Sequence, residues 1–173
     1  MKMELVTLID KLAEEHKLSK EEYITLLIGC GAEESAYLAQ KARAEKEKHY
    51  GNSVFIRGLI EISNICKNDC YYCGIRKSNQ NCERYRLTKE DILYCCDQGY
   101  ELGFRTFVLQ GGEDGYYTDE VLYDIVAKIH NGYPDCAITL SMGERSKESY
   151  QKLFDAGATR YLLRHETADE KHY

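Results

Sequence analysis

At 173 residues, with 43% hydrophobic and 30% charged side chains, the chain has the length and composition of one ordinary domain with a real hydrophobic core. A net charge of −6 and a pI near 5.4 argue against a nucleic-acid partner, which would ask for a basic face. No apolar stretch approaches the ~20 residues of a membrane helix, and residues 1–10 lack a basic-then-apolar signal pattern, so a cytoplasmic location is expected.

The first fifty residues read as helices. Leu5, Leu8, Ile9 and Leu12 follow helical spacing, and Ser19-Lys-Glu-Glu22 is a capping box that opens a second helix through Ile28. Gly29 and Gly31 interrupt the pattern before a third helix, roughly Glu33 to Tyr50. Its charged end, Lys41 to Lys48, reads as a solvated face.

After Gly51-Asn52, strand-length apolar runs alternate with longer segments of helical period. The strand candidates are Val54–Ser63, Thr106–Gln110, Ala137–Ser141 and Arg160–His165, with helices about Thr88–Leu102, Thr118–His130 and Lys147–Ala156 between them. Thr88-x-x-Asp91 is a capping-box variant, and Gly103 and Gly157 sit at helix C-cap positions. Strands joined by crossover helices imply parallel pairing, hence an α/β fold. A (β/α)8 barrel takes ~250 residues, and an open four-stranded parallel sheet would leave two bare edges. The expected organisation is therefore an N-terminal helical segment, 1–50, and the N-terminal half of a barrel, 51–173, with about four βα units. The remainder is expected to be truncated or supplied by another chain.

Eight cysteines without an export signal point to metal binding or catalysis rather than disulfides. Three of them, Cys66, Cys70 and Cys73, stand at C-x3-C-x2-C spacing directly behind the first strand candidate. Functional groups of parallel α/β folds gather on loops at the strands' carboxyl ends, and 64–78 is such a loop. Three thiolates can hold three irons of a [4Fe–4S] cluster and leave the fourth iron bare, whereas electron carriers usually cap all four. Lys67, Asn68 and Asp69 can keep the loop at the surface, while Tyr71, Tyr72 and Ile75 can shield a cluster. The bare iron needs an occupant, and the amino-carboxylate end of S-adenosylmethionine can chelate it.

The next strand ends offer groups for such a ligand. Gly111 and Gly112 permit close backbone approach, and Glu113 can accept from an ammonium. Ser141 and Glu144 add a hydroxyl and a carboxylate. Arg164 can pair with a carboxylate, and Glu166 can bind ribose hydroxyls or the sulfonium side. No catalytic acid, base or nucleophile is assigned.

The triad with Tyr72 before its third cysteine, followed by Gly111-Gly112-Glu113, resembles the radical SAM superfamily. Gly58-Leu-Ile-Glu-Ile-Ser-Asn64, Val108-Leu-Gln-Gly-Gly-Glu-Asp114 and Tyr161-Leu-Leu-Arg-His-Glu-Thr-Ala168 are similar, more narrowly, to the HydE-type [FeFe]-hydrogenase maturase family, whose relatives include biotin synthase and methylornithine synthase. The resemblance implies a (β/α)8 barrel, a [4Fe–4S] cluster and S-adenosylmethionine (SAM). It also implies reductive cleavage of SAM to a 5′-deoxyadenosyl radical, a small-molecule or organometallic substrate, and assembly of the hydrogenase di-iron site with maturation proteins and an electron donor. It places Cys66, Cys70 and Cys73 on the cluster. Tyr72, Gly112, Glu113, Ser141, Glu144, Arg164 and Glu166 stand near SAM, and Thr139 faces the substrate cavity.

Other readings stay open at this point. The triad suits a zinc knuckle with Cys82 or a histidine as fourth ligand, or a cluster-binding fragment that turns nothing over. A methylornithine-synthase-like or biotin-synthase-like activity is the nearer alternative. Cys30, Cys95, Cys96 and Cys136 are expected to be buried small apolar side chains.

Overall fold

The computed structural model describes residues 2–166, 169 and 171. The chain divides into two compact units, Met1–Phe55 and Ile56–Tyr173.

In the first unit, three helices run Met3–Glu15 (α1), Lys20–Gly29 (α2) and Ala32–Tyr50 (α3). Leu5, Ile9 and Leu26 form its buried centre, with Leu8, Leu12, Leu18, Tyr37 and Leu38 packed around them. The Ser19 box forms in both directions: Glu22 N–H donates to Ser19 Oγ at 3.2 Å, and Ser19 N–H to the Glu22 carboxylate at 2.7 Å. Glu34 is buried because it plays the same part for α3, accepting from the N–H groups of Gly31 (3.0 Å) and Lys2 (2.8 Å).

The second unit alternates strand and helix: β1 Gly58–Ser63, α4 Lys89–Glu101, β2 Thr106–Gly111, α5 Asp119–Gly132, β3 Ala137–Ser141, α6 Lys147–Asp155 and β4 Arg160–Tyr161. The four strands form one parallel sheet in the order β1-β2-β3-β4. This is the sequential order of successive units of a (β/α)8 barrel.

Period-two alternation decides which side is covered. Ile60, Ile62, Phe107, Leu109, Ile138 and Leu140 pack against Ile92 and Cys96 of α4, Leu122, Ile125, Val126 and Ile129 of α5, and Leu153 of α6. Burying each such aliphatic side chain stabilises the fold by roughly 1.5–3 kcal/mol. The alternate residues, among them Leu59, Glu61 and Gln110, face away from the helices, and Leu59 is 55% exposed.

Two strands are shorter than their apolar runs. Val54–Arg57 lies outside β1 because β2 begins at Thr106 and its first partner is Gly58, opposite Phe107; Val54, Phe55 and Ile56 are exposed. β4 stops at Tyr161, with one further bond from Leu162 N–H to Leu140 O at 2.8 Å, because β3 ends at Ser141 and the chain turns away through Gly143. Helix ends follow the caps. Thr88 and Asp91 form a reciprocal box, and Gly103 and Gly157 adopt positive φ just beyond α4 and α6.

The spare cysteines divide by face. Cys96 and Cys136 are buried, and burial pushes the Cys96 thiol up to about 12. Cys95 is exposed and Cys30 half-buried, which corrects the expectation that all four are core residues. Adjacent positions on a helix point 100° apart, so only one of Cys95 and Cys96 can reach the sheet. Among the described residues, no helix is long and apolar enough to cross a membrane.

Candidate cofactor site at the strand ends

Between β1 and α4 the chain makes an irregular excursion over residues 64–87 that holds the cysteine triad. It leaves and returns beside β1: Leu87 N–H donates to Ile62 O (2.8 Å), Asn64 N–H to Tyr85 O (3.4 Å), and Ser63 bridges Arg86. A bulge at Ile62 shifts the register, so that Glu61 faces Gln110 but Ser63 faces Gly111. Bulges re-aim side chains next to functional sites. Here the bulge turns the buried Ser63 hydroxyl onto Asp114, to which it donates at 2.7 Å.

Asp114 is the hub beneath the loop. Its carboxylate also accepts two parallel bonds from Arg86 (2.7 and 2.8 Å) and one from Tyr116 N–H (3.0 Å). Burial pushes its carboxyl up, yet the Arg86 fork, the Tyr116 amide and the Ser63 hydroxyl together outweigh burial and hold it below its usual value.

Within the loop, turns run from Cys70 O to Cys73 N–H (3.0 Å) and from Cys73 O to Arg76 N–H (3.2 Å). Asp69 accepts from Ser78 N–H at 2.9 Å. Asn64 clamps the return limb, donating to Glu83 O (2.7 Å) and accepting from Tyr85 N–H (2.7 Å).

Cys66, Cys70 and Cys73 line a single cavity of about 790 Å³ together with Tyr72, Gly112, Glu113, Ser141, Glu144, Arg164 and Glu166. The strand ends of the whole sheet thus meet the cysteine loop at one place. Of the residues expected to hold the cluster or SAM, Thr139 alone does not line this cavity; Tyr71, expected to shield a cluster, points into solvent at 99% exposure and is also outside the lining, as is Asp69. Thr139 lies half-buried two residues before Ser141 on β3. Thr167 and Ala168 of the fourth-strand stretch lie outside the described residues.

Gly112 brings β2 against the loop. A Cβ there would stand 2.3 Å from Ile65 O and 2.8 Å from Cys66 Cβ, so no side chain fits. Gly112→Ala is expected to push the Ile65–Cys66 backbone out of place, lowering stability by about 1–3 kcal/mol and reducing iron retention. Urea unfolding and iron analysis check both. Gly143, at φ +76°, is pressed in the same way against Glu113.

Glu113 is held on three sides. Its carboxylate receives Lys67 Nζ (2.9 Å) and Asn68 Nδ2 (2.8 Å), and its carbonyl accepts from Lys67 N–H (3.1 Å). The hydrogen bond to Glu113 raises the Lys67 amine. The expected role of this carboxylate, accepting an ammonium, is here taken by a lysine from the cysteine loop. Tyr72 and Glu166 line the same cavity, and desolvation first, then the Glu166 charge, raises the Tyr72 phenol. Arg164 donates to Gln110 Oε1 at 2.7 Å, and Gln110 to Glu61 at 3.2 Å, a polar row along the strand ends.

A family model described as the Radical SAM superfamily matches residues 60–173. The chain belongs to the radical SAM superfamily. The [FeFe] hydrogenase maturase subunit HydE of Thermotoga maritima is 48% identical over 124 residues, 72% of this chain and 35% of HydE. The 3-methylornithine synthase of Methanosarcina acetivorans is 32% identical over 168 residues, 95% of this chain and 47% of that protein. The crystal structure of methylornithine synthase (PylB) superposes with a TM-score of 0.85 at 31% identity, covering 95% of this chain and 49% of that one. This radical SAM chain therefore spans about a third to a half of the length of these relatives.

The superfamily implies a [4Fe–4S] cluster and SAM, and the residues fit both. A cubane takes one thiolate at each of three separate iron corners, and three free thiols line one cavity. A single tetrahedral ion needs donors converging within ~2.3 Å of one point. Among the described residues, no three His, Cys, Asp or Glu side chains converge on one metal position, the cysteine triad included, so the fit rests on the spacing of the three thiols and the cavity they share. Cys82, the candidate fourth zinc ligand, accepts from Asn64 Nδ2 at 3.5 Å and does not line the cavity. For SAM, the fit is the Lys67 ammonium already seated on Glu113, in a cavity that also offers Ser141, Glu144 and Arg164.

Lys67 and Asn68 read in sequence as no more than solubilising, and Arg84, Arg86 and Asp114 carry no role there. The available signal was Arg84-Tyr85-Arg86 immediately before the Thr88 cap: two arginines on the limb that returns from a cysteine loop.

Proposed function

We propose that this chain carries the cofactor-binding strand ends of a radical SAM enzyme acting in assembly of the [FeFe]-hydrogenase di-iron site. The observation that supports it best is the meeting of three free thiols with Glu113, Ser141, Glu144, Arg164 and Glu166 in one cavity at the ends of a parallel sheet. Cys66, Cys70 and Cys73 hold the cluster. Glu113 takes the SAM ammonium in exchange for Lys67, whose side chain is 68% exposed and free to swing into water. Gly112 lets the Ile65–Cys66 backbone of the cysteine loop close against β2 and so sets the cluster beside the SAM groups. Ser141, Glu144, Arg164 and Glu166 fix the remaining polar groups, Tyr72 shields the site, and Thr139 faces the substrate side. When bound, the reduced cluster supplies the electron that splits SAM into methionine and a 5′-deoxyadenosyl radical. The chain's own task is to orient that cation and keep water away. The accompanying organisation is a helical segment, 1–50, and the N-terminal half of a barrel, 51–173, working in the cytoplasm on a small-molecule or organometallic substrate with an electron donor.

The 48% identity to HydE favours the hydrogenase role. A methylornithine-synthase-like activity is the second reading, favoured by the TM-score of 0.85 over 95% of the chain. Anaerobically reconstituted protein given SAM and a strong reductant is expected to release 5′-deoxyadenosine. Expression in cells lacking HydE is expected to restore hydrogenase activity. Formation of 3-methylornithine without hydrogenase rescue would select the second reading, and no 5′-deoxyadenosine from cluster-loaded protein would defeat both.

A further inference from the structure

The strongest unassigned feature is the Arg84 side chain. Its Nη1 donates to the carbonyls of Asn64 (2.5 Å) and Ile75 (2.8 Å), and its Nη2 to those of Arg76 (2.7 Å) and Asn79 (3.1 Å). Asn64 precedes Cys66, and the other three follow Cys73. One guanidinium therefore ties the entry of the cysteine loop to its exit, across a stretch with no regular secondary structure. The five-donor planar fork is the one side chain that can serve four carbonyls in this way. All four partners are neutral, and no carboxylate lies within 4.0 Å of Arg84 among the described residues. Arg84 is a half-buried positive charge in the loop that presents three thiols.

We propose that Arg84 is the positioning residue that preforms the cysteine loop before any cluster binds, and that its positive charge raises the reduction potential of the cluster held there. The first half concerns the apo chain alone; the second rests on the function proposed above. Charge and hydrogen bonding around the thiolates are the means by which a protein tunes such a centre.

The test uses the full chain with Arg84→Gln and Arg84→Lys. In apo protein, trypsin cleavage after Arg76 and Lys77 is expected to accelerate at least tenfold in Arg84→Gln, equivalent to ~1.4 kcal/mol of local opening. Arg84→Lys is expected to fall between, with helical circular dichroism unchanged in both. After iron and sulfide loading, Arg84→Gln is expected to show a more negative midpoint potential, and Arg84→Lys one close to wild type. Wild-type cleavage rates in Arg84→Gln would overturn the positioning role, as would loss of helical signal in both variants, which would make Arg84 a residue of the whole fold. Equal potentials in all three proteins would overturn the electrostatic role. Failure of the wild-type chain to take up iron would instead strike the cluster assignment, and the proteolysis result would still decide the loop.

Discussion

Replacing any one of Cys66, Cys70 and Cys73 by alanine is expected to drop reconstituted iron from ~4 per chain to below about 1, because a cubane held by three thiolates has no ligand to spare. Cys82→Ala and Cys95→Ala are expected to load like wild type. Cys82 is turned away onto Asn64 and Glu83, and Cys95 sits on the exposed side of α4. Iron and sulfide analysis of the five variants, prepared anaerobically side by side, checks the contrast. Equal loss in Cys82→Ala would point to four cysteine ligands and remove the open iron on which the functional reading depends.

Asp114→Ala is expected to be strongly destabilising although it removes no part of the apolar core. The carboxylate side chain is 2% exposed, and its removal takes the acceptor from the Tyr116 amide and the Arg86 guanidinium and leaves the Ser63 hydroxyl only the Tyr85 carbonyl at 3.3 Å. Breaking a buried pair costs about 3–5 kcal/mol. Arg86, at 35% exposure, recovers part of its hydration, which brings the expected loss to about 2–4 kcal/mol. Asp114→Asn keeps an acceptor and loses the charge, so its cost is expected to be smaller. The folded carboxyl lies below its ordinary 3.8. Its stabilisation is therefore complete above about pH 4 and disappears as pH falls through the folded value. Wild type and Asp114→Asn are accordingly expected to converge in acid and diverge toward neutrality. Urea unfolding at pH 7 and pH 3 measures this; a constant gap between the two proteins would contradict it.

Much of the architecture was legible because it rests on local chemistry. The Ser19 and Thr88 caps, the alternation of Ile60, Ile62, Phe107 and Leu109, and the glycines after α4 and α6 each announce an element within a few residues. Strand length was less legible. Val54–Ile56 has strand composition but no partner residue in β2, and pairing is a property of two segments. The cysteine triad could be read from spacing alone. Its supports could not, since Asp114 and Arg86, or Arg84 and Asn64, lie roughly 20 to 30 residues apart and meet only when β1, β2 and the return limb are assembled. Glu113 shows both sides of this: its suitability for an ammonium follows from its residue type and place, while its hold on Lys67 and Asn68 is visible only in three dimensions.

The central claim, that the triad leaves one iron open for SAM, is tested most directly by electron paramagnetic resonance of the anaerobically loaded and reduced protein, recorded with and without SAM. The spectrum of the reduced cluster is expected to change shape when SAM is added, since the ligand replaces whatever occupies the fourth iron. Superimposable spectra at saturating SAM would contradict the account.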